Sequence, residues 1–431
     1  MNKFKDACKK IFPRLLRHAV EFLCLFAVLT IVFFVLITAA YAVPQSKIDA
    51  NLQASRALLE ASDSLNPQLP FGKGILMDYY TDKLMLTLAE REEGVGVIRT
   101  AQVEHYARYW HGYQVYLRPA LALGNLQDLR WVNTLVQYAA ICLLAALLAK
   151  RLHPVFAVCF GASLALVDYL VVPYSFQFSG VFLVMLAASI ALLALCEKPW
   201  FQARMPQFFF ITGAVTVFTD LLTAPVITLG VPLALLLLLR ARGKNEHPLR
   251  SFLALIGNGV AWAAGYVALW FSKWLMASVV LHRNEILISL RQILFRTGTS
   301  ADGYIYISMG ENADLQTWGD YENLDRFAAF RSAIETWMEL NWLSLFVAAV
   351  LAASLVACLL SRRARNAIPD AAPLLAVALI APLWLLLLGQ HTAIHNWFTY
   401  RNLLPTGFAL LCLPCCFWLQ VKKKEKEKDP S

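Results

Sequence analysis

Residues 22–41 read FLCLFAVLTIVFFVLITAAY, an apolar run of 20 residues without a charged side chain. About 20 apolar residues are needed to cross the hydrocarbon core of a membrane, roughly 30 Å thick, as a helix. Basic residues precede the run, as they do at the cytoplasmic end of a membrane span. The run exceeds the apolar part of a secretory signal, which is about 7–15 residues. We therefore predict an uncleaved first transmembrane helix.

The same pattern recurs along the chain. Further apolar runs with the length of a single span lie at 131–149, 155–172, 178–196, 252–271, 342–360, 371–388 and 403–419. Residues 208–239 are too long for one span and have basic residues at both ends, which predicts a hairpin with its turn at Thr223-Ala224-Pro225. The sequence thus predicts an all-α polytopic membrane protein of about ten transmembrane helices.

The composition excludes most other classes of protein. Apolar residues make up 59% of the 431 residues and charged residues 16%. Soluble domains have about 45–50% apolar and about 25% charged residues. The net charge of +9 does not indicate nucleic-acid binding, because no basic stripe alternates with stacking aromatic residues. The sequence contains neither a P-loop nor a dinucleotide-binding glycine pattern, so we expect no nucleotide site in the chain.

Lysine and arginine determine the predicted orientation. If the N-terminus is cytoplasmic, the inner segments hold 22 of the 38 Lys and Arg residues, which is the positive-inside bias of membrane proteins. Both termini are then inside, and the basic tail is expected to touch anionic membrane lipids. The chain is predicted to begin with a basic N-terminus at 1–18, followed by the first helix at 19–42 and a first outer loop with amphipathic helices at 43–130. Helices 2–7 follow at 131–271 and a second outer loop with a small cap at 272–341. Helices 8–10 at 342–419 and a basic tail at 420–431 complete the chain.

Two acidic residues in the first outer loop are the candidate catalytic groups. Asp78 and Asp82 are four residues apart, so a helix would place their side chains on one face. One carboxylate of such a pair can accept the proton of a hydroxyl group that attacks a sugar. The pair also permits a divalent cation, although the sequence does not require one. The polar face of an amphipathic surface helix is the alternative interpretation.

Aromatic and basic side chains follow in the same loop, over residues 104–118. Aromatic faces stack on sugar rings, and arginine binds phosphate through two parallel hydrogen bonds. These properties make four residues candidates for substrate binding, namely Arg108, His111, Tyr113 and Arg118. An aromatic belt at the membrane interface is the alternative.

Polar residues elsewhere complete the candidate site. Asp168 and Asp220 fall in the outer parts of predicted spans, where ionisable residues usually face a cavity or a partner. His391 and His395 have the i, i+4 spacing of metal ligands, but no third ligand is evident, so we predict no metal site. We predict instead that both histidines and Arg401 contact substrate. Structural carboxylates and an interfacial helix cap are the alternatives.

A resemblance to known proteins is carried by strings at 77–86, 107–118, 174–179, 218–225 and 391–401. In these strings the chain resembles a family of poorly characterised polytopic membrane proteins of Gram-positive bacteria. Its layout, with a cytoplasmic N-terminus and acidic residues in a large first outer loop, is similar to that of the C-type (GT-C) membrane glycosyltransferases. The resemblance implies a multi-pass protein of the bacterial plasma membrane and a polyprenyl-phosphate sugar as donor.

Three functions are compatible with these features. We expect transfer of a sugar from the polyprenyl-phosphate carrier to a cell-envelope acceptor on the outer face, with Asp78 or Asp82 as base. Arg108, Arg118 and Arg401 would then hold the donor phosphate. The alternatives are a transporter or flippase of a lipid-linked sugar or solute, and a non-catalytic membrane partner in envelope assembly.

Overall fold

The structure is a computed structural model that describes residues 2–62, 76–91, 94–241, 247–298, 325–338 and 368–426, together with isolated positions at 64, 67, 346, 349, 352, 353, 356 and 360. Three features predicted from the sequence lie largely or wholly outside these residues. They are the span at 342–360, the polar part of the second outer loop at 299–324, and the end of the basic tail beyond residue 426.

The described residues form helices and contain no β-strand. In chain order, the helices are α1 Asn2–Ala42, α2 Gln45–Glu60, α3 Tyr79–Thr87, α4 Val97–Thr100, α5 Gln114–Leu121, α6 Leu126–Arg151, α7 Pro154–Ala165, α8 Phe176–Leu195, α9 Pro199–Gln202, α10 Met205–Thr219, α11 Ile227–Ala241, α12 Pro248–Leu281, α13 Glu285–Arg296, α14 Arg326–Met338, α15 Ile368–Ala378, α16 Ile380–Leu387, α17 Gly389–Ile394, α18 Asn396–Thr399 and α19 Leu404–Lys426. Short 3₁₀ turns lie at Glu104–Tyr106, Tyr169–Val171 and Tyr400–Leu403. The predicted all-α class is therefore confirmed.

Four helices are long and apolar enough to cross a membrane, namely α1 over Leu16–Ala42, α6, α8 and α12. The apolar runs predicted at 22–41, 131–149 and 252–271 fall within these helices, and the run at 178–196 does so except for its last residue. Many apolar side chains of α1 and α6 are exposed, for example Leu23 and Leu135, as expected for surfaces that face lipid rather than water. The chain is therefore a membrane protein by the length and composition of its helices.

Other apolar runs that the sequence predicts as membrane spans are interrupted between two helices or by a turn. The run at 155–172 is not one helix, because α7 ends at Ala165 and Asp168 adopts a left-handed conformation with φ 52°. The run at 371–388 is divided between α15 and α16. The long run at 208–239 forms two helices, α10 and α11, with the predicted Thr223-Ala224-Pro225 turn between them.

The core surrounds α11, in which every residue from Ile227 to Leu238 is buried. Beside it, α10 and α12 cross at two glycines. A Cβ atom on Gly213 would lie 2.1 Å from the Trp262 carbonyl oxygen, and one on Gly265 would lie 2.0 Å from the Phe210 carbonyl oxygen. Small residues allow such close backbone approach, which is a common way for helices to associate in membranes.

The first loop folds back into this bundle instead of remaining at its surface. The Gly112 N–H donates to the Phe218 carbonyl at 2.7 Å, and the Trp110 indole N–H donates to the Leu269 carbonyl at 2.7 Å. Irregular backbone is tolerated beside membrane helices only where protein groups satisfy it. These contacts hold the loop residues that the sequence marks as functional against α10 and α12.

Candidate functional site

Both candidate catalytic aspartates make a hydrogen bond at the start of α8, Asp78 through its backbone and Asp82 through its side chain. Asp78 caps α3, and its Oδ1 accepts from the Thr81 N–H at 2.8 Å. The Asp78 N–H donates to Ser175 Oγ at 2.9 Å. One turn along α3, Asp82 Oδ1 accepts from the Gln177 N–H at 3.2 Å. The Asp82 carboxylate thus lies at the positive end of a long apolar helix, where negative charge is favoured, and the backbone of Asp78 is bound to the residue that precedes this helix.

Both carboxylates are buried and incompletely satisfied. Asp78 and Asp82 are each 1% exposed, and within the described part of the chain neither Oδ2 atom has a hydrogen-bond partner. Arg130 Nη2 forms an ion pair with Asp82 Oδ2 at 3.7 Å. The Arg130 guanidinium also lies over the Tyr79 ring, 5.0 Å from its centre. Because buried acceptors are nearly always hydrogen-bonded, the Asp78 Oδ2 atom, which has neither a hydrogen bond nor an ion pair among the described residues, indicates a place for a polar ligand.

Arg401 also contacts the first turn of α8, at Phe178. It is fully buried, and its guanidinium lies 4.4 Å from the centre of the Phe178 ring and 4.8 Å from that of Tyr400. Nη1 donates to the Trp397 carbonyl at 3.4 Å. Nε and Nη2 have no hydrogen-bond partner among the described residues. A buried guanidinium with free donors is expensive unless an anion or another acceptor meets it.

The surroundings of the two aspartates raise the pKa of both carboxyl groups. Burial raises the pKa of Asp78 to about 6, against the opposing effects of hydrogen bonds from Thr81 and of the Arg401 charge. Burial raises the pKa of Asp82 to about 7, with Arg130 opposing and Asp78 reinforcing the shift. At neutral pH Asp78 is therefore mostly ionised. Its pKa is close to the working pH, which suits a general base.

Asp168 joins this group through Tyr400. The Tyr400 hydroxyl donates to Asp168 Oδ2 at 2.5 Å, and Tyr400 is the neighbour of Arg401 in the chain. Asp168 is 7% exposed. We call Asp78, Asp82, Arg130, Asp168 and Arg401 the aspartate pocket, because contacts at the start of α8 and through Tyr400 connect these charged groups.

Arg118, predicted to bind phosphate, lies in a different environment. Its Nε donates to the Ala40 carbonyl at 3.0 Å and its Nη2 to the Val43 carbonyl at 2.9 Å. Its Nη1 donates to the Ala89 carbonyl and, at 3.4 Å, to Gln45 Oε1. Every nitrogen of the guanidinium is therefore engaged in joining the end of α1 to α2 and α3. We call Arg118 with these partners the loop anchor.

Two other predicted residues also have structural partners. His111 Nε2 contacts the Tyr106 carbonyl at 2.8 Å, and its Nδ1 contacts the Tyr113 hydroxyl at 3.1 Å. Burial lowers the pKa of His111 to about 3, so the ring is neutral at pH 7. Asp220 accepts from the Thr223 N–H at 3.0 and 3.1 Å and closes the turn after α10.

His391 and His395 form a second polar group together with Arg296, a residue that the sequence did not single out. The Arg108 guanidinium lies over the Tyr106 and Tyr109 rings, 4.1 and 5.3 Å from their centres. Arg296 Nη1 lies 2.7 Å from His391 Nδ1, and His391 Nε2 lies 2.9 Å from the Leu222 carbonyl. The His391 and His395 rings are 4.8 Å apart. Both nitrogens of His391 thus have partners. In the described parts of the chain, no group of three or more His, Cys, Asp or Glu side chains is arranged to hold a metal ion.

Arg130 was also absent from the predicted set, although the sequence held a signal for it. It is the last residue before the apolar run at 131–149, and a charge at a span margin is usually interpreted as an interfacial anchor. Its pairing with Asp82 depends on the loop folding back onto α6.

Comparison of the chain with protein-family models, with curated proteins and with solved structures finds no match.

Proposed function

We propose that the chain is a membrane glycosyltransferase that moves a sugar from a polyprenyl-phosphate carrier to a cell-envelope acceptor. The observation that carries the proposal is the aspartate pocket. There, the open Oδ2 of Asp78 and the open donors of Arg401 are buried around one helical turn. A base and a cation in one buried pocket are the two groups that transfer from a phosphate leaving group needs.

The proposed chemistry has a role for each open group. The acceptor hydroxyl attacks the anomeric carbon and gives its proton to Asp78 Oδ2. The bond between the anomeric carbon and the phosphate oxygen breaks, and the electron pair leaves with the polyprenyl phosphate. Arg401 offsets the charge of this phosphate. Asp82, which is already paired with Arg130, positions α3 and holds Asp78 at the pocket.

The proposed setting is the outer face of a bacterial plasma membrane. We propose ten spans with both termini inside, as the distribution of Lys and Arg indicates. Four long apolar helices support part of this topology. In this orientation the aspartate pocket faces outward, where envelope acceptors are found. The similarity in layout to the GT-C enzymes agrees with the proposal, and it remains an analogy of architecture.

The test is a transfer assay in sealed proteoliposomes. The probes are short-chain polyprenyl-phosphate hexose and pentose donors with radiolabelled sugars, and an extract of cell-envelope lipids and glycans serves as acceptor. Asp78→Asn keeps the size of the side chain but removes the base. We expect its transfer rate to fall by about 10²–10⁴-fold relative to the wild type. Asp49→Asn, at an exposed acid of the same loop, is the matched control and should transfer normally.

Two outcomes would contradict the proposal. Full transfer by both Asp78→Asn and Asp82→Asn would exclude a carboxylate base in this pocket. Movement of labelled donor across the bilayer by the wild type, without a new glycosidic bond, would identify a transporter instead.

A further inference from the structure

Helix α6 carries a stripe of polar side chains, although many of its other side chains are apolar and exposed. Arg130, Asn133 and Gln137 follow one another at spacings of three and four residues, so they share one face of the helix. Gln137 is fully buried, whereas the adjacent Leu135 and Val136 are exposed. Polar groups in a membrane helix are costly unless other protein groups meet them. We call Arg130, Asn133 and Gln137 the α6 polar stripe.

The α6 polar stripe binds the irregular segment 166–175, which joins α7 to α8. Arg130 Nε donates to the Tyr174 carbonyl at 2.8 Å. Asn133 Nδ2 donates to the Pro173 carbonyl at 2.7 Å. Irregular backbone between membrane helices is tolerated only where protein groups satisfy it. The stripe therefore holds the end of this segment against α6.

Hydrogen bonds between side chains connect the stripe internally and continue to α8. Gln137 accepts from the Tyr169 hydroxyl at Oε1 and donates from Nε2 to Asn133 Oδ1 at 3.1 Å. Asn133 Nδ2 donates to Ser179 Oγ at 2.8 Å, and this hydroxyl lies 3.0 Å from the Ser175 carbonyl oxygen. Each amide is thus both a donor and an acceptor, and the bonds run without a break from Tyr169 to α8.

Each half of the aspartate pocket is bonded to one part of the irregular segment. Near the start of the segment, Asp168 Oδ2 accepts from the Tyr400 hydroxyl at 2.5 Å, and Tyr400 precedes Arg401 in the chain. At the end of the segment, Ser175 Oγ accepts from the Asp78 N–H at 2.9 Å. The position of this segment therefore sets the spacing between Asp78 and Arg401.

We propose that Gln137 is a positioning residue of the aspartate pocket, which holds Asp78 at a fixed spacing from Arg401. Gln137 is central because it joins Tyr169, the neighbour of Asp168, to the asparagine that binds α8. Spacing matters because a displacement of about 1 Å can reduce a rate about 10²-fold. The role in transfer rests on the proposed function, whereas the mechanical coupling between α6 and Asp78 can be measured without it.

Hydrogen exchange of the full chain in nanodiscs measures this coupling in Gln137→Met. Methionine has about the length of glutamine but makes neither of its hydrogen bonds. We expect the amides at 168–178 to exchange about tenfold faster, the equivalent of one buried hydrogen bond. The amides at 76–87 should exchange about threefold faster or more, because Asp78 is bonded to Ser175. A change confined to 168–178 would show local packing only and would overturn the proposal.

Thr228→Val is the matched control for the loss of a buried polar group. The Thr228 hydroxyl lies 2.7 Å from Thr216 Oγ1 and accepts from the Trp262 indole N–H at 3.0 Å. Within the described part of the chain, its only other side-chain hydrogen bond is to the Pro225 carbonyl. The variant should therefore destabilise the bundle between α10, α11 and α12. Exchange at 76–87 should stay at the rate of the wild type.

A double variant tests whether Gln137 acts through Tyr169. Tyr169→Phe removes the hydroxyl but keeps the ring, which packs against Phe182 with centres 5.4 Å apart. If the two side chains act through one hydrogen bond, adding Tyr169→Phe to Gln137→Met should not increase exchange further. Additive increases would show that the two residues act independently, which would overturn the proposed bridge.

Transfer assays test the effect of the spacing on the reaction. Per folded molecule, Gln137→Met should lower kcat by about 10–10²-fold, with little change in the KM for the donor. Burial raises the pKa of Asp78 to about 6, and a displaced Asp78 gains contact with water. Its pKa should then fall toward the ordinary value, so transfer should persist to lower pH than in the wild type. A merely structural role would lower the rate equally at every pH.

The outcomes separate this inference from the proposed function. If the wild type transfers no sugar but Gln137→Met increases exchange at both 168–178 and 76–87, the transferase proposal fails and the coupling to Asp78 is supported. If the wild type transfers sugar but Gln137→Met changes neither the exchange at 76–87 nor the dependence of transfer on pH, the positioning role is overturned and the transferase proposal stands.

Discussion

Arg118 and Arg401 are both fully buried arginines, and the difference between them lies in their partners. Arg118 in the loop anchor meets backbone carbonyls at the ends of three helices. Arg401 in the aspartate pocket keeps Nε and Nη2 without partners among the described residues. Satisfied buried charges hold a fold together, whereas unsatisfied ones cost stability and persist where a ligand completes them. We therefore assign structure to the first arginine and function to the second.

The largest effect on stability is expected at the loop anchor. Arg118→Met keeps the bulk of the side chain but leaves the Val43 and Ala89 carbonyls without their arginine donor in a buried setting, and removes one of the two donors to the Ala40 carbonyl. At about 1–3 kcal/mol for each group, the free energy of unfolding should fall by about 3 kcal/mol or more. Denaturant unfolding in detergent micelles measures this loss. A variant as stable as the wild type would remove the distinction between the two arginines.

A glycine that packs the first loop against α10 should give the next largest effect. A Cβ atom at Gly112 would lie 2.4 Å from both the carbonyl oxygen and the ring of Phe218. Gly112→Ala should therefore destabilise by about 1–3 kcal/mol, as overpacking does, and should loosen the loop at 104–113. Hydrogen exchange of the loop amides tests this. Gly96→Ala is the control, because a Cβ there has nothing within 4 Å, and it should leave exchange unchanged.

The aspartate pocket predicts opposite effects of pH on activity and stability. Asp78 must be ionised to accept a proton, so transfer should fall about tenfold for each pH unit below its pKa of about 6. The same carboxyl has an ordinary pKa of 3.8, so between about pH 4 and pH 6 the folded state binds more protons than the unfolded state. Its contribution to stability is therefore lost as pH rises through this window. Transfer rates and free energies of unfolding, both measured over pH 4–8, test the two expectations. If both quantities changed in the same direction with pH, the assignment of Asp78 as the base would be contradicted.

The smallest effect is expected at an arginine outside both regions. Arg99 is 44% exposed at its side chain and pairs with Glu104. Exposed pairs of this kind contribute about 0–1 kcal/mol, so Arg99→Gln should change the free energy of unfolding by about 0.5 kcal/mol or less. Its transfer rate should equal that of the wild type. A large loss of either property would show that burial does not separate the important arginines from the others.

The sequence predicted the helices well where length and hydropathy alone decide the structure. The run at 22–41 lies in α1, and the Thr223-Ala224-Pro225 turn separates α10 from α11. The break after α7 was missed because it depends on the left-handed backbone of Asp168. An apolar pattern carries no signal for such a backbone conformation.

The site was predictable only as a set of residue types. Asp78 and Asp82 were recognisable from their spacing, but the surface that receives them is Ser175 and Gln177, more than 90 residues away in the chain. The motif that contains Arg118 gave no indication that backbone carbonyls would occupy its donors. Pairing between distant segments is decided by tertiary packing, and one sequence without such contacts cannot show which polar groups are satisfied.

The most direct test measures transfer and stability together in Arg401→Met and Arg118→Met. We predict that Arg401→Met loses transfer by about 10²–10³-fold and is at least as stable as the wild type, because a buried unpaired charge is gone. Arg118→Met should lose stability but transfer normally per folded molecule. The reverse pattern, with full transfer by Arg401→Met and a transfer defect without loss of stability in Arg118→Met, would contradict the account.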